Sequence, residues 1–295
     1  MYGQIAANRR RTVTLFVLFF GFLIGVGWGL SYYFDEAGIL LIAVLIALVQ
    51  AGTAYFAGDK IALAVSGAKL ADRQQFDQLH DLVENLAIAT GLPKPRVYII
   101  NDPAPNAFAT GRNPKHSAVA VTTGLLELLD KRQLEAVLAH ELAHVKNNDI
   151  LVATVAVTLV GVLALISDIF LRSLWWRDSD SKDSRATGVI MLVAIVLAIL
   201  APLAAKLIQL AISRSREFLA DADGVLITRF PEGLVEALVK IEQYERPMKS
   251  ANRATAHLYI NEPFGVKENK GSWLATVFST HPPIPLRVSK LRGMG

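Results

Sequence analysis

His140-Glu141-Leu142-Ala143-His144 is the stretch whose residue types and spacing say most about chemistry. Two histidines four residues apart project from the same face of a helix. At that spacing two imidazole nitrogens can share a tetrahedral zinc, each at about 2.0–2.1 Å. Glu141, next to the first histidine, is placed to act as general base toward an attacking water. The chain has no cysteine, which excludes a disulfide framework, a thiol nucleophile and thiolate ligation. A metal site must therefore draw on His, Asp or Glu. Catalytic zinc keeps three protein ligands and one open position, so a third ligand is required. Asp149 is near in sequence but sits at the helix end, where it is expected to point elsewhere. The run Ser213-Arg-Ser-Arg-Glu217-Phe-Leu-Ala-Asp221 supplies a carboxylate on a separate helix. Glu217 can bind the metal while Asp221, four residues on, accepts the free N–H of a ligand imidazole. Spacing alone leaves a second possibility open, a surface ion pair between Glu217 and Arg214 or Arg216.

The elements that must position these residues can be read in outline. Asp130 is a good N-cap for the helix carrying the histidines, with Gln133 completing a capping box. Leu134, Val137, Leu138 and Leu142 give that helix an apolar face. Upstream, Leu70 to Thr90 has helical periodicity through Phe76, Leu79, Leu82, Val83 and Leu86. Gly91 ends it, and Pro93 and Pro95 follow. Arg96–Ile100, Ala107–Thr110 and Ser117–Thr122 read as short strands. A small sheet beside helices makes the soluble part α+β, in a chain that is mainly α overall.

Composition places that soluble part at a membrane. Of 295 residues, 53% are hydrophobic and 19% charged, against roughly 25% charged in ordinary soluble domains. Val13–Tyr33 and Gly38–Gly58 are uncharged runs of 21 residues each, enough for a core about 30 Å thick. Only Phe34–Ala37 separates them, so they form a hairpin. Ile150–Ser167 and Thr187–Ala205 are weaker runs that form a second hairpin, or else are buried helices or dip in and out of the interface. The expected organisation is a transmembrane hairpin over 1–58, a first catalytic segment over 59–149, a second membrane hairpin over 150–205 and a second catalytic segment over 206–295. Arg9, Arg10 and Arg11 precede the first run and Lys60, Lys69 and Arg73 follow the second. The short loop between carries Asp35 and Glu36, so both outer flanks are expected in the cytoplasm. The Arg172–Arg185 loop would lie outside, although its four basic and three acidic residues support this weakly. The first run is longer than a signal-peptide core and reads as an uncleaved anchor. A net charge of +4 suits cytoplasmic flanks better than nucleic-acid binding, which is not expected.

Taken together, these segments resemble the HtpX-type membrane zinc metallopeptidases, which are related to the CAAX prenyl proteases. The resemblance covers nearly the whole chain. It rests on the N-terminal hairpin, Asn106-Ala-Phe-Ala-Thr-Gly111, the HELAH segment at 140–144, SRSREFLAD at 213–221 and Ser279-Thr-His-Pro-Pro283. It implies a gluzincin-type fold with one zinc per chain on His140, His144 and Glu217, and Glu141 as base and acid. Asn106, Ala107, Phe108 and Ala109 would form an edge strand that pairs with an extended substrate. From the residues alone, Phe108 would be placed in the core. His281, with Arg287 six residues later, would face the cleft and stabilise the oxyanion. His80, His116 and His257 are expected to be structural or exposed. The substrates implied are unfolded or damaged membrane proteins, cut at the cytoplasmic face of the cell membrane by a multi-pass enzyme. Four runs do not enclose the chamber of the CAAX proteases, so prenyl-protein processing is not expected.

Two other classes of function compete. A membrane scaffold holding structural zinc would normally close the metal with four ligands, typically including Cys, which this chain lacks. A transporter would carry charges within its apolar runs, and the four runs contain none. The residues say nothing of the oligomeric state.

Overall fold

The computed structural model describes residues 2–161, 214–244, 246–250, 255–261, 263 and 282–294. His281, the run Thr187–Ala205 and the Arg172–Arg185 loop lie outside the described residues.

Two long helices come first. Helix α1 spans Tyr2–Phe34 and α2 spans Ala37–Phe56. Both contain stretches long and apolar enough to cross a membrane, with little of their surface buried. The turn between them is tight. Asp35 takes φ 52°, a conformation that Asp tolerates better than most residues, and the Glu36 side chain caps α2 at the Gly38 amide. Helix α1 begins earlier than the apolar run, so Arg9, Arg10 and Arg11 form its first turns rather than a leading tail. A short helix α3, Gly58–Val65, leads into the sheet.

The sheet has four strands, β1 Lys69–Leu70, β2 Arg96–Ile100, β3 Ala107–Gly111 and β4 Ser117–Thr122, in the order β1-β2-β4-β3. Strands β2 and β4 are parallel, with Val97 opposite Val119; β3 and β4 are antiparallel, with Ala109 opposite Val119. Every residue of β4 is buried, as expected for a strand covered on both faces. Val119 and Val121 turn to the side of the catalytic helices, where they join Leu82, Leu86, Val137, Leu138 and Leu142. Ala118 and Ala120 turn the other way, toward Leu63, Val157, Leu258 and Tyr259.

Helix α4 covers Asp77–Thr90 and starts later than its periodicity suggests. Leu70 is paired with Tyr98 in the sheet, and the Asp72 carboxylate accepts from the Gln74 and Gln75 amides. Such a side-chain turn competes with helix. Gly91 closes α4 at φ 69°. A short α5, Thr123–Leu128, precedes α6, Lys131–Lys146, whose capping box between Asp130 and Gln133 is complete.

Asn148 at φ 56° turns the chain into α7, Asp149–Gly161. This is the described part of the third apolar run. Its Val152, Val155, Ala156 and Leu159 pack against Leu15 and Phe19 of α1. Three more helices complete the described chain: α8 Arg214–Thr228, α9 Pro231–Glu242 and α10 Ile284–Arg292.

Candidate metal centre

Helices α6 and α8 cross at close range, and a glycine permits it. A Cβ on Gly224 would lie 3.1 Å from the His140 backbone nitrogen, tighter than ordinary packing allows. This approach sets the preceding two turns of α8, with Glu217 and Asp221, beside the histidines. His140, His144 and Glu217 then converge, each offering one ligand atom, all within 4.8 Å of one another. The two histidine Nε2 atoms are 3.2 Å apart. Glu217 Oε1 is 3.6 Å from His144 Nε2, and Oε2 is 3.8 Å from His140 Nε2. Bonds of about 2.0–2.1 Å in a tetrahedron put ligand atoms about 3.3 Å apart. The imidazole pair already has that separation, and each carboxylate oxygen is a few tenths of an ångström beyond it from one histidine, Oε1 from His144 and Oε2 from His140. Glu217 is buried, so the surface ion pair with Arg214 or Arg216 is not its setting. Arg216 turns instead toward Asp149, at 3.7 Å.

Each imidazole presents Nε2 to the centre because Nδ1 is engaged behind it. His140 Nδ1 lies 3.0 Å from Asp221 Oδ1, as the spacing of Glu217 and Asp221 predicts. His144 Nδ1 lies 3.0 Å from Asp149 Oδ2. With each Nδ1–H donating to a carboxylate, each Nε2 keeps its lone pair for a metal. The expectation that Asp149 points elsewhere is thus corrected. The left-handed turn at Asn148 folds α7 back, which swings this carboxylate under the ring it supports.

Arg287 is also corrected. It was expected to face the cleft beside a substrate, but it is completely buried. Its Nε donates to Asp221 Oδ2 at 2.9 Å and its Nη2 to Oδ1 at 2.6 Å. A two-pronged guanidinium–carboxylate pair of this kind fixes both partners. Arg287 therefore acts through Asp221 on His140, from behind the ligand. Burial opposes ionisation of Asp221, yet Arg287 and His140 overcome it and lower its pKa from 3.8 to about 2.

The centre itself favours a cation. Burial works against charge on His144, yet the carboxylates of Glu217, Asp149 and Glu141 raise its pKa from 6.5 to about 9. Carboxylates that hold a proton so firmly on an imidazole would hold a divalent metal in the proton's place. Glu141 is buried between the two histidines on α6.

Strand β3 is a sheet edge, as expected for the Asn106–Ala109 segment. Its side chains are committed within the protein. Asn106 donates to Asn261 O and accepts from the Asn261 and Ala107 amides. Phe108 packs edge-on to Tyr259, with centroids 5.1 Å apart, in the core where its residue type alone would put it. Ala107 and Ala109 join the core under α6. On the outer side of β3, Ala107 O accepts from the Ile260 amide and the Gly111 amide donates to Thr154 Oγ1. These four side chains are buried, so the pairing expected of this segment would run through the backbone of the strand. His80, His116 and His257 bond to Ala71 O, Asn113 Oδ1 and Ala153 O, away from the metal cluster.

Comparison with known proteins settles the family. The model of peptidase family M48 matches residues 73–295. The chain belongs to peptidase family M48. A "Protease HtpX homolog" from Caldanaerobacter subterraneus is 44% identical, covering 100% of this chain and 98% of that protein. Proteins of the same description from Tropheryma whipplei and Streptococcus gordonii are 44% and 43% identical over the whole chain. The crystal structure of S. mikatae Ste24p is similar in fold, with a TM-score of 0.51 at 17% identity over 99% of this chain and 67% of that one. This M48 peptidase is accordingly a membrane metalloprotease, and His140, His144 and Glu217 are the described residues that could hold its metal.

Proposed function

We propose that the chain is a zinc endopeptidase of the cytoplasmic membrane surface, cutting extended segments of unfolded or damaged membrane proteins. The convergence of His140, His144 and Glu217 carries this reading. Two imidazoles and one carboxylate suit zinc and leave a position open. When bound there, one zinc per chain supplies Lewis acidity toward water and the scissile carbonyl. Glu141 takes the proton of the attacking water and passes it to the leaving amine. Asp221 and Asp149 hold the imidazoles in the tautomer with Nε2 unprotonated. Substrate pairs its backbone with the middle of β3, near Ala109, which restricts substrates to segments without structure of their own. Oxyanion stabilisation by His281 belongs to this reading.

The membrane placement rests on α1 and α2 and on their flanks. Asn8, at the start of α1, reaches the chain beneath the site, so the site lies at the Arg9–Arg11 end of that helix. Basic flanks favour the cytoplasmic side. With the runs over 150–205 as a second hairpin, the chain is multi-pass and the 206–295 segment returns to the same face.

The test compares wild type with Glu141→Gln, purified in detergent, first with a chelator and then with added zinc. Both proteins are expected to bind one zinc, and only wild type to cut casein and itself, with at least a thousandfold difference in rate. Equal cutting by both would remove Glu141 from its role. Stoichiometric zinc with no cutting by wild type in any condition would favour the scaffold reading.

A further inference from the structure

Asn8 lies in the first turns of the membrane helix α1, yet it is 1% exposed. Its Nδ2 donates to two acceptors, Asn147 O at 2.9 Å and Asp149 Oδ1. Two acceptors on one atom assign that atom as the amide nitrogen. The second bond joins residues 141 apart in the sequence. Asp149 is the carboxylate whose other oxygen lies 3.0 Å from His144 Nδ1. A continuous polar path therefore runs from α1 to a candidate ligand: amide, carboxylate, imidazole. Asn147 is the C-cap of α6, so the same amide ties the membrane helix to the end of the helix that bears both histidines. Below this contact, Leu15 and Phe19 pack on α7, which fixes the depth at which Asn8 docks.

A polar side chain at the end of a membrane helix is expected to have a specific partner. Here the partner is one step removed from the metal. Arg216 lies 3.7 Å from the same Asp149 oxygen, which is long for a directing hydrogen bond. Asn8 thus supplies an oriented hydrogen bond to this carboxylate.

We propose that Asn8 is a positioning residue of the metal centre, by which docking of the first membrane helix orients Asp149 and so His144. This rests on the reading of His144 as a metal ligand. The hairpin is then part of the catalytic apparatus as well as an anchor. A hairpin displaced from its seat lowers metal affinity, and a metal in place holds the hairpin seated.

The experiment uses the full chain in detergent and measures zinc affinity by competition with a chromophoric chelator, alongside kcat and KM on casein. Asn8→Leu keeps the side-chain volume and removes the donor. It is expected to weaken zinc binding about tenfold, the lower end of the effect of outer partners, and to lower kcat with KM unchanged. Asp149→Ala is expected to lose at least as much, and the double variant no more than Asp149→Ala alone. Asn8→Ala serves as a second variant and is expected to behave alike. Thr12→Val, one turn along α1 with its hydroxyl on Asn8 O, is expected to keep wild-type affinity. Three results would overturn the proposal: wild-type affinity in both Asn8 variants, losses that multiply in the double variant, or an equal loss in Thr12→Val. A wild type that binds no zinc would overturn the metal reading as well, which separates the two failures.

Discussion

The two histidines of the centre have the same orientation but are braced by different kinds of partner. Behind His140 stands a buried ion pair, Asp221 with Arg287, contributed by α8 and α10. Behind His144 stands Asp149 at the head of α7, steadied by the neutral amide of Asn8 from α1. The first brace is internal to the soluble domain and neutralises its own charge. The second reaches into the membrane hairpin, and its cation is more distant. The difference teaches that one ligand is set by the folding of the peptidase domain and the other by the seating of that domain on its membrane helices. The two braces should therefore fail under different perturbations.

The largest expected effect comes from breaking the His140 brace. Arg287→Met leaves Asp221 as a buried carboxylate without its guanidinium partner. Removing one partner of a buried ion pair typically costs about 3–5 kcal/mol. Thermal unfolding of the zinc-free protein should show a large loss of stability, and chelator competition a zinc affinity about 10–100-fold lower. Asn8→Leu, by contrast, should lose affinity with little loss of stability in the soluble domain. Equal thermal effects from the two substitutions would erase the contrast between the braces.

The pH dependence sharpens the same comparison, because His144 and the Asp221 that braces His140 titrate at opposite ends of the scale. In the metal-free protein the folded pKa of His144 is raised to about 9 from 6.5. Its contribution is complete below about 6.5 and is lost as pH rises through about 9. The pKa of Asp221 is lowered to about 2 from 3.8. Its contribution is present above about 3.8 and is lost as pH falls through about 2. Unfolding curves of chelated protein should therefore show stability declining between pH 6.5 and 9. Zinc bound at His144 would take the place of its proton, so the zinc-loaded protein should lack that decline. A decline of the same size with zinc bound would show that another group is responsible.

What the sequence reveals of this arrangement follows the range of the interactions. His140, His144, Glu217 and Asp221 are legible because each pair is four residues apart on one helix, and helical spacing is local. The capping box of α6 and the strands β2 and β4 are legible for the same reason. The braces are not. Arg287 in isolation looks like a surface cation, and only its docking beside α8 buries it. Asn8 and Asp149 are joined across 141 residues, and neither residue type signals the other. A carboxylate beyond a helix end is expected to face away, and at Asp149 the positive φ of Asn148 defeats that expectation. The late start of α4 has a similar cause, since a side-chain turn at Asp72 overrode the apolar period.

The smallest expected effect concerns how α10 keeps Arg287 in place. Lys290, one turn beyond Arg287, holds its ammonium 3.6 Å from the centre of the Phe218 ring. Phe218 is next to Glu217, so this contact latches α10 to α8 from the solvent side of the same pair of helices. Exposed cation–π contacts contribute about 0.5–1 kcal/mol. If the brace of His140 depended on this latch, Lys290→Met would weaken zinc as Arg287→Met does. The geometry argues otherwise. The guanidinium of Arg287 is fully enclosed and bonded twice to Asp221, and Leu291 and Ile284 bury the rest of α10 in the core. Lys290→Met should therefore lower thermal stability by about 0.5–1 kcal/mol and leave zinc affinity within twofold of wild type. A tenfold loss of zinc would mean that the His140 brace, like that of His144, depends on a contact at the rim of the domain.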